Sequence, residues 1–112
     1  MQYRQATRDV ITTLLSARYK AVNGGKTQDV SINPATNTVR LNGRTTQLPV
    51  AFNIVVHAAR ELNRDGEGVF RFYPEGGSSG GDVEIARPNG SGVKITVDWL
   101  VGRVTQEKYA FE

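Results

Sequence analysis

Along residues 4–22 the apolar positions Ala6, Val10, Ile11, Leu14, Leu15, Ala17, Ala21 and Val22 recur every three or four residues, which places them on one stripe of a helix. Gly24-Gly25 follows as a stop signal. No capping residue precedes the first turn, so this segment reads as the trailing end of a longer helix. The pattern then changes to period two. Val30 and Ile32, then Val39 and Leu41, read as two short strands forming a hairpin around Asn33-Pro34-Ala35-Thr36-Asn37. Residues 48–58 fit both periods: Val50, Phe52, Ile54, Val56 and Ala58 alternate as in a strand, and Ile54, Val55, Ala58, Ala59 and Leu62 fit a helix. The β-branched run Ile54-Val55-Val56 favours the strand. Further strands are read at 69–73, 83–86, 93–98 and 100–105, each bounded by glycine, proline or asparagine. A helix followed by about seven short strands predicts an α+β fold, with the N-terminal helix packed on one antiparallel sheet or on two sheets face to face.

A chain of 112 residues fits one domain with one core. At 38% hydrophobic and 22% charged residues it lies above the range in which chains stay disordered. The twelve glycines cluster between the alternating segments, as turn punctuation. The absence of cysteine excludes disulfides, thiolate metal sites and cysteine nucleophiles. No apolar run approaches the ~18 residues of a membrane span, and Met1-Gln2-Tyr3-Arg4-Gln5 lacks the n-region and h-region of a signal peptide.

The net charge of +3 is uneven. Arg4, Arg8, Arg18, Lys20, Lys26, Arg40 and Arg44 face only Asp9 and Asp29 in the first part, whereas from Asp65 onward acidic residues outnumber basic ones. Such asymmetry suits head-to-tail contact between like subunits, or an anionic partner at the basic end.

Candidate chemistry is sparse. The sole histidine, His57, lies in an apolar strand with no nucleophile or metal partner visible in the sequence. Asp82 and Glu84 share a strand face and could offer oxygen ligands to calcium, but no EF-hand-like loop surrounds them. The loop Pro74-Glu75-Gly76-Gly77-Ser78-Ser79-Gly80-Gly81 lacks the P-loop lysine and leads into a strand instead of a helix, which leaves it as a tight structural connection. Phe70 and Phe72 share one strand face with Arg71 on the other, so packing outweighs base stacking. No catalytic residue, cofactor or metal site is expected.

The segment Phe70-Arg71-Phe72-Tyr73-Pro74-Glu75-Gly76-Gly77-Ser78-Ser79-Gly80-Gly81-Asp82-Val83-Glu84-Ile85 resembles the signature region of GspH/FimT-type minor pseudopilins. There an apolar strand enters a Pro-Asp/Glu-Gly turn, a small-residue loop and a second strand. Val93-Lys94-Ile95-Thr96-Val97-Asp98-Trp99-Leu100-Val101-Gly102-Arg103-Val104 looks like the family's closing strand with its Gly-Arg-Val step. Residues 14–22 with Gly24-Gly25 are similar to the family's helix end. The resemblance implies that residues 1–22 are the C-terminal half of the pilin helix and residues 28–112 a β-rich domain. It further implies a cleaved leader and an anchoring helix in the bacterial inner membrane, with the globular part in the periplasm. The implied partners are other minor and major pseudopilins near the tip of a type II secretion filament.

The resemblance has a second branch, FimT/FimU-like minor pilins of type IV pili, some of which bind DNA through a basic C-terminal stretch. Here Gly102-Arg103-Val104 is followed by Thr105, Gln106 and Glu107, which disfavours nucleic acid. Charge on the first helix nominates Arg8, Arg18 and Lys20 as partner contacts, together with Arg103 of the Gly-Arg-Val step.

Overall fold

The computed structural model describes residues 2–109. The apolar stripe near the N-terminus forms α1 (Gln2–Gly24). Ala6, Val10, Leu14, Ala17 and Ala21 on this helix are all buried. The three alanines let neighbouring strands come close, and Val10 and Leu14 fill the space between them. At 1.5 Å per residue the 23-residue helix spans about 34 Å, against a long axis of 43 Å for the molecule. Past its end the Gly25 N–H donates to the Ala21 carbonyl at 3.1 Å, the stop read from the sequence. No helix among the described residues is long and apolar enough to cross a membrane.

Among the described residues eight strands follow: β1 (Gln28–Asn33), β2 (Thr38–Leu41), β3 (Arg44–Gln47), β4 (Asn53–Ala58), β5 (Gly68–Phe72), β6 (Gly81–Ala86), β7 (Gly92–Val97) and β8 (Val104–Tyr109), with one 3-10 turn at Arg60–Leu62. They form two four-stranded sheets, ordered β3-β2-β1-β5 and β4-β6-β7-β8, with every neighbouring pair antiparallel. The helix packs on β1, β2 and β5 of the first sheet and on β8 of the second, and β4 lies against β5. This is the expected α+β architecture. Between the layers sit Val30, Ile32, Phe70 and Phe72 from the first sheet and Ile54, Val83, Ile85, Val93, Ile95 and Val97 from the second. Each is worth about 1.5–3 kcal/mol of transfer free energy when fully buried.

The sequence reading departs from the structure in three places. β3, Arg44-Thr45-Thr46-Gln47, has no apolar residue, because as an edge strand it buries almost nothing; this raises the strand count to eight. The strand read at 48–58 begins only at Asn53. Leu48 is buried ahead of it, its N–H bonded to the Asn37 carbonyl at 2.8 Å, and Val50 is 82% exposed on a turn closed by Phe52 N–H to the Pro49 carbonyl. The strand read at 100–105 is instead a turn at 98–103 followed by β8, whose polar run Thr105-Gln106-Glu107-Lys108 is again that of an exposed edge.

Asn37 joins these parts. It is buried, holds a left-handed φ of 55°, and its Nδ2 donates to the carbonyls of Pro49 at 2.8 Å and Phe52 at 2.9 Å. Asn37→Ala should cost about 3 kcal/mol, because it adds the left-handed penalty to two orphaned carbonyls. Asn37→Gly should cost about 1 kcal/mol less, having no Cβ to strain. Urea denaturation of both variants checks this; equal midpoints would refute a backbone contribution.

Candidate functional site

The glycine-rich connection from β5 to β6 carries the chain from one sheet to the other, and its hydrogen bonds are dense. The Tyr73 N–H donates to the Gly77 carbonyl, the Ser79 N–H to the Arg71 carbonyl, and the Arg71 N–H to Ser79 Oγ, all at 2.9 Å. Ser78 is buried and ties this loop to the turn after β7: its N–H donates to the Trp99 carbonyl at 2.9 Å and its Oγ to the Asp98 carbonyl at 2.8 Å. The loop is therefore the structural connection read from the sequence.

The turn it holds is equally constrained. Val101 N–H donates to Asp98 Oδ2 at 2.7 Å, Gly102 N–H to the Asp98 carbonyl at 2.9 Å, and Asp98 N–H to the Arg103 carbonyl at 2.9 Å. Gly102 has φ +68°, and a Cβ there would sit 2.5 Å from the Gly76 carbonyl oxygen and 3.1 Å from Arg18 Nε. Only glycine fits. Arg18 Nε in turn donates to the Val101 carbonyl at 3.2 Å, which pins the turn to the helix.

This framework displays an apolar surface. Trp99, Leu100 and Val101 project from the turn, with Trp99 67% exposed. On α1, Leu15, Tyr19 and Val22 are also exposed, at the four- and three-residue spacing of one helical face. Arg18 belongs to that face and bonds the turn, so helix stripe and turn meet at its guanidinium. Six exposed large apolar residues on a pinned backbone, with Trp99 and Tyr19 among them and Arg18 beside them, have the composition of a protein contact surface.

Two further parts of the surface carry charge. A groove of about 960 Å³ between the first turns of α1 and the β7–β8 edge is lined by Arg4, Arg8, Arg87 and Lys108, with no acidic residue among the described ones. There the Arg87 guanidinium lies 4.3 Å over the Tyr3 ring, which meets Phe52 edge-on at 5.6 Å. Burial pushes the Tyr3 phenol above its ordinary pKa, with Arg87 opposing. On the outer face of the first sheet the cations are matched. Arg71 grips Asp29 through two bonds at 2.8 and 3.0 Å, which raises the Arg71 pKa, and Arg40 grips Glu67 at 3.0 and 3.2 Å.

No family model matches the chain, and no curated protein matches it in sequence. Among solved structures the minor pseudopilin EpsH from the type 2 secretion system of Vibrio cholerae superposes with a TM-score of 0.76 at 12% identity, covering 96% of this chain and 98% of that one. The chain has a pseudopilin fold. The architecture implied by the sequence resemblance is thus present, although few residues are shared.

On the pseudopilin fold the four nominated contact residues do not converge. Arg8 lines the basic groove, Arg18 bonds the Val101 carbonyl, Lys20 lies beside β2 and β3, and Arg103 is exposed at the entry to β8. The sequence reading does not find the apolar patch. It places Leu15 and Val22 on one stripe with Leu14, whereas the sheets cover the Leu14 side of that stripe and leave Leu15 and Val22 exposed. Likewise Trp99-Leu100-Val101 is a run of three that no strand can point into one core. Trp99 is the only tryptophan, so fluorescence reports on this turn. In the isolated chain its emission should be that of a hydrated indole and readily quenched by acrylamide; blue-shifted, protected emission would contradict the exposed arrangement.

Proposed function

We propose that this chain is the globular part of a minor pseudopilin of a type II secretion system, a structural and non-enzymatic subunit that assembles near the tip of a periplasmic pseudopilus driving protein export. The observation that carries the reading is the fold shared with a minor pseudopilin over nearly the whole of both chains. In this reading a hydrophobic helix ahead of α1 anchors the native protein in the bacterial inner membrane, and the globular part lies in the periplasm. The partners are other minor and major pseudopilins, and the patch of Leu15, Tyr19, Val22, Trp99, Leu100 and Val101 packs against them. Aromatic anchors on a fixed backbone lose little conformational entropy on docking, which favours association.

The test mixes the purified chain with the soluble domains of the pseudopilins encoded in the same genome. Co-elution on gel filtration and a blue shift of Trp99 emission are expected with at least one of them. Tyr19→Ala should weaken the complex about tenfold or more. No complex with any of them would overturn the reading.

One observation favours a second role, that of a FimT/FimU-like type IV pilus minor pilin taking up DNA: the basic groove with Arg4, Arg8, Arg87 and Lys108 and, among the described residues, no acidic lining residue. Under that reading, affinity for duplex DNA falls steeply with salt, and Arg4→Ala or Arg8→Ala lowers the logarithmic salt slope by about one. Fluorescence anisotropy with a labelled duplex measures this, and absence of binding at low salt ends it.

A further inference from the structure

Away from the patch and the groove, the outer face of the second sheet brings together side chains that are far apart in sequence. His57 on β4 stands directly opposite Asp82 on β6, and Glu84 follows two residues along the same strand on the same face. His57 Nδ1 and Asp82 Oδ1 are 3.0 Å apart, and one ligand atom from each of the three residues lies within 4.8 Å of the others. Strand pairing fixes this arrangement, because Val83 and Ile85, which alternate with the two acids, are fully buried.

We propose that His57, Asp82 and Glu84 form a binding site for one divalent first-row transition ion. The separation supports it: an ion about 2.1 Å from each donor in six-coordinate geometry sets adjacent donors about 3.0 Å apart. The His57–Asp82 pair already has that spacing. The Glu84 donor, within 4.8 Å of the other two, completes the set by closing up to about 1.8 Å to the 3.0 Å spacing, a side-chain rotation open to a long, partly exposed residue. Two carboxylates and one imidazole select zinc, nickel, cobalt or manganese over calcium and magnesium, which prefer oxygen alone.

The neighbours fit the assignment. The opposing cation, Lys94, stands across from Glu84 on β7, on the side away from β4. Three protein donors leave the remaining coordination positions to water or to a group from another molecule. Because β4 is an edge of its sheet, ligation through His57 ties that edge strand to β6.

Calorimetric titration of the purified chain with Zn²⁺ tests the site, with Mg²⁺ and Ca²⁺ as controls. The expected result is saturable one-to-one Zn²⁺ binding, a Zn²⁺-dependent rise in melting temperature, and no response to the two controls. His57→Gln, Asp82→Asn and Glu84→Gln should each weaken binding by about 10- to 100-fold. Glu107→Gln, on β8 and outside the cluster, should leave it unchanged. Metal-free melting of each variant checks that the fold is retained. Glu84→Gln separates a three-donor site from a bare His57–Asp82 pair. The proposal fails if wild type shows no saturable Zn²⁺ binding, or if binding persists at full strength in any of the three cluster variants.

Discussion

The two sheets share no strand, and the element that spans both is α1. Its stripe of Ala6, Val10, Leu14, Ala17 and Ala21 lies on β1, β2, β5 and β8 at once, with each of these side chains almost wholly removed from water. Three of the five are alanine because a single cylinder touching two sheets leaves little room between backbones. A larger residue at Ala17 or Ala21 would push one sheet off the other.

With the helix in place, the connections between the sheets become the next constraint. Of these the glycine-rich loop is the most heavily bonded. Ser78 at its centre links β5, the loop and the turn after β7, and Gly81 at its exit lies so close to His57 and Phe70 that a Cβ would fall 2.5 Å from the His57 carbonyl oxygen. Loops with this density of satisfied backbone groups behave as part of the framework and not as linkers. The result is a turn that can present Trp99, Leu100 and Val101 to solvent without collapsing onto the core.

The surface divides by physical character. The helix face beside the second sheet is basic near its start, where Arg4 and Arg8 line the groove, and apolar near its end, where Leu15, Tyr19 and Val22 adjoin the turn. The outer face of the first sheet carries matched ion pairs, each worth little in water. The apolar surface, with Arg18 among its residues, therefore supports the assembly reading. Apolar area exposed on a rigid scaffold gains free energy only when covered.

Periodicity by itself determined the helix, the β1–β2 hairpin and strands β5, β6 and β7, because each buries one face and so displays its period in apolar residues. It also determined that the fold is α+β and that the glycine-rich segment is a connection. Edge strands β3 and β8 were illegible for the converse reason: a strand that buries no face has no hydrophobic period to read. Tertiary structure alone decided the rest. Whether Leu15, Val22 and Trp99 belong to core or surface depends on which directions the two sheets occupy around the helix. The meeting of His57 with Asp82 depends on the antiparallel register of β4 and β6, and the gathering of Arg4, Arg8, Arg87 and Lys108 on the packing of helix against sheet. These are long-range relations, and no local pattern encodes the distance between residues that chain topology brings together.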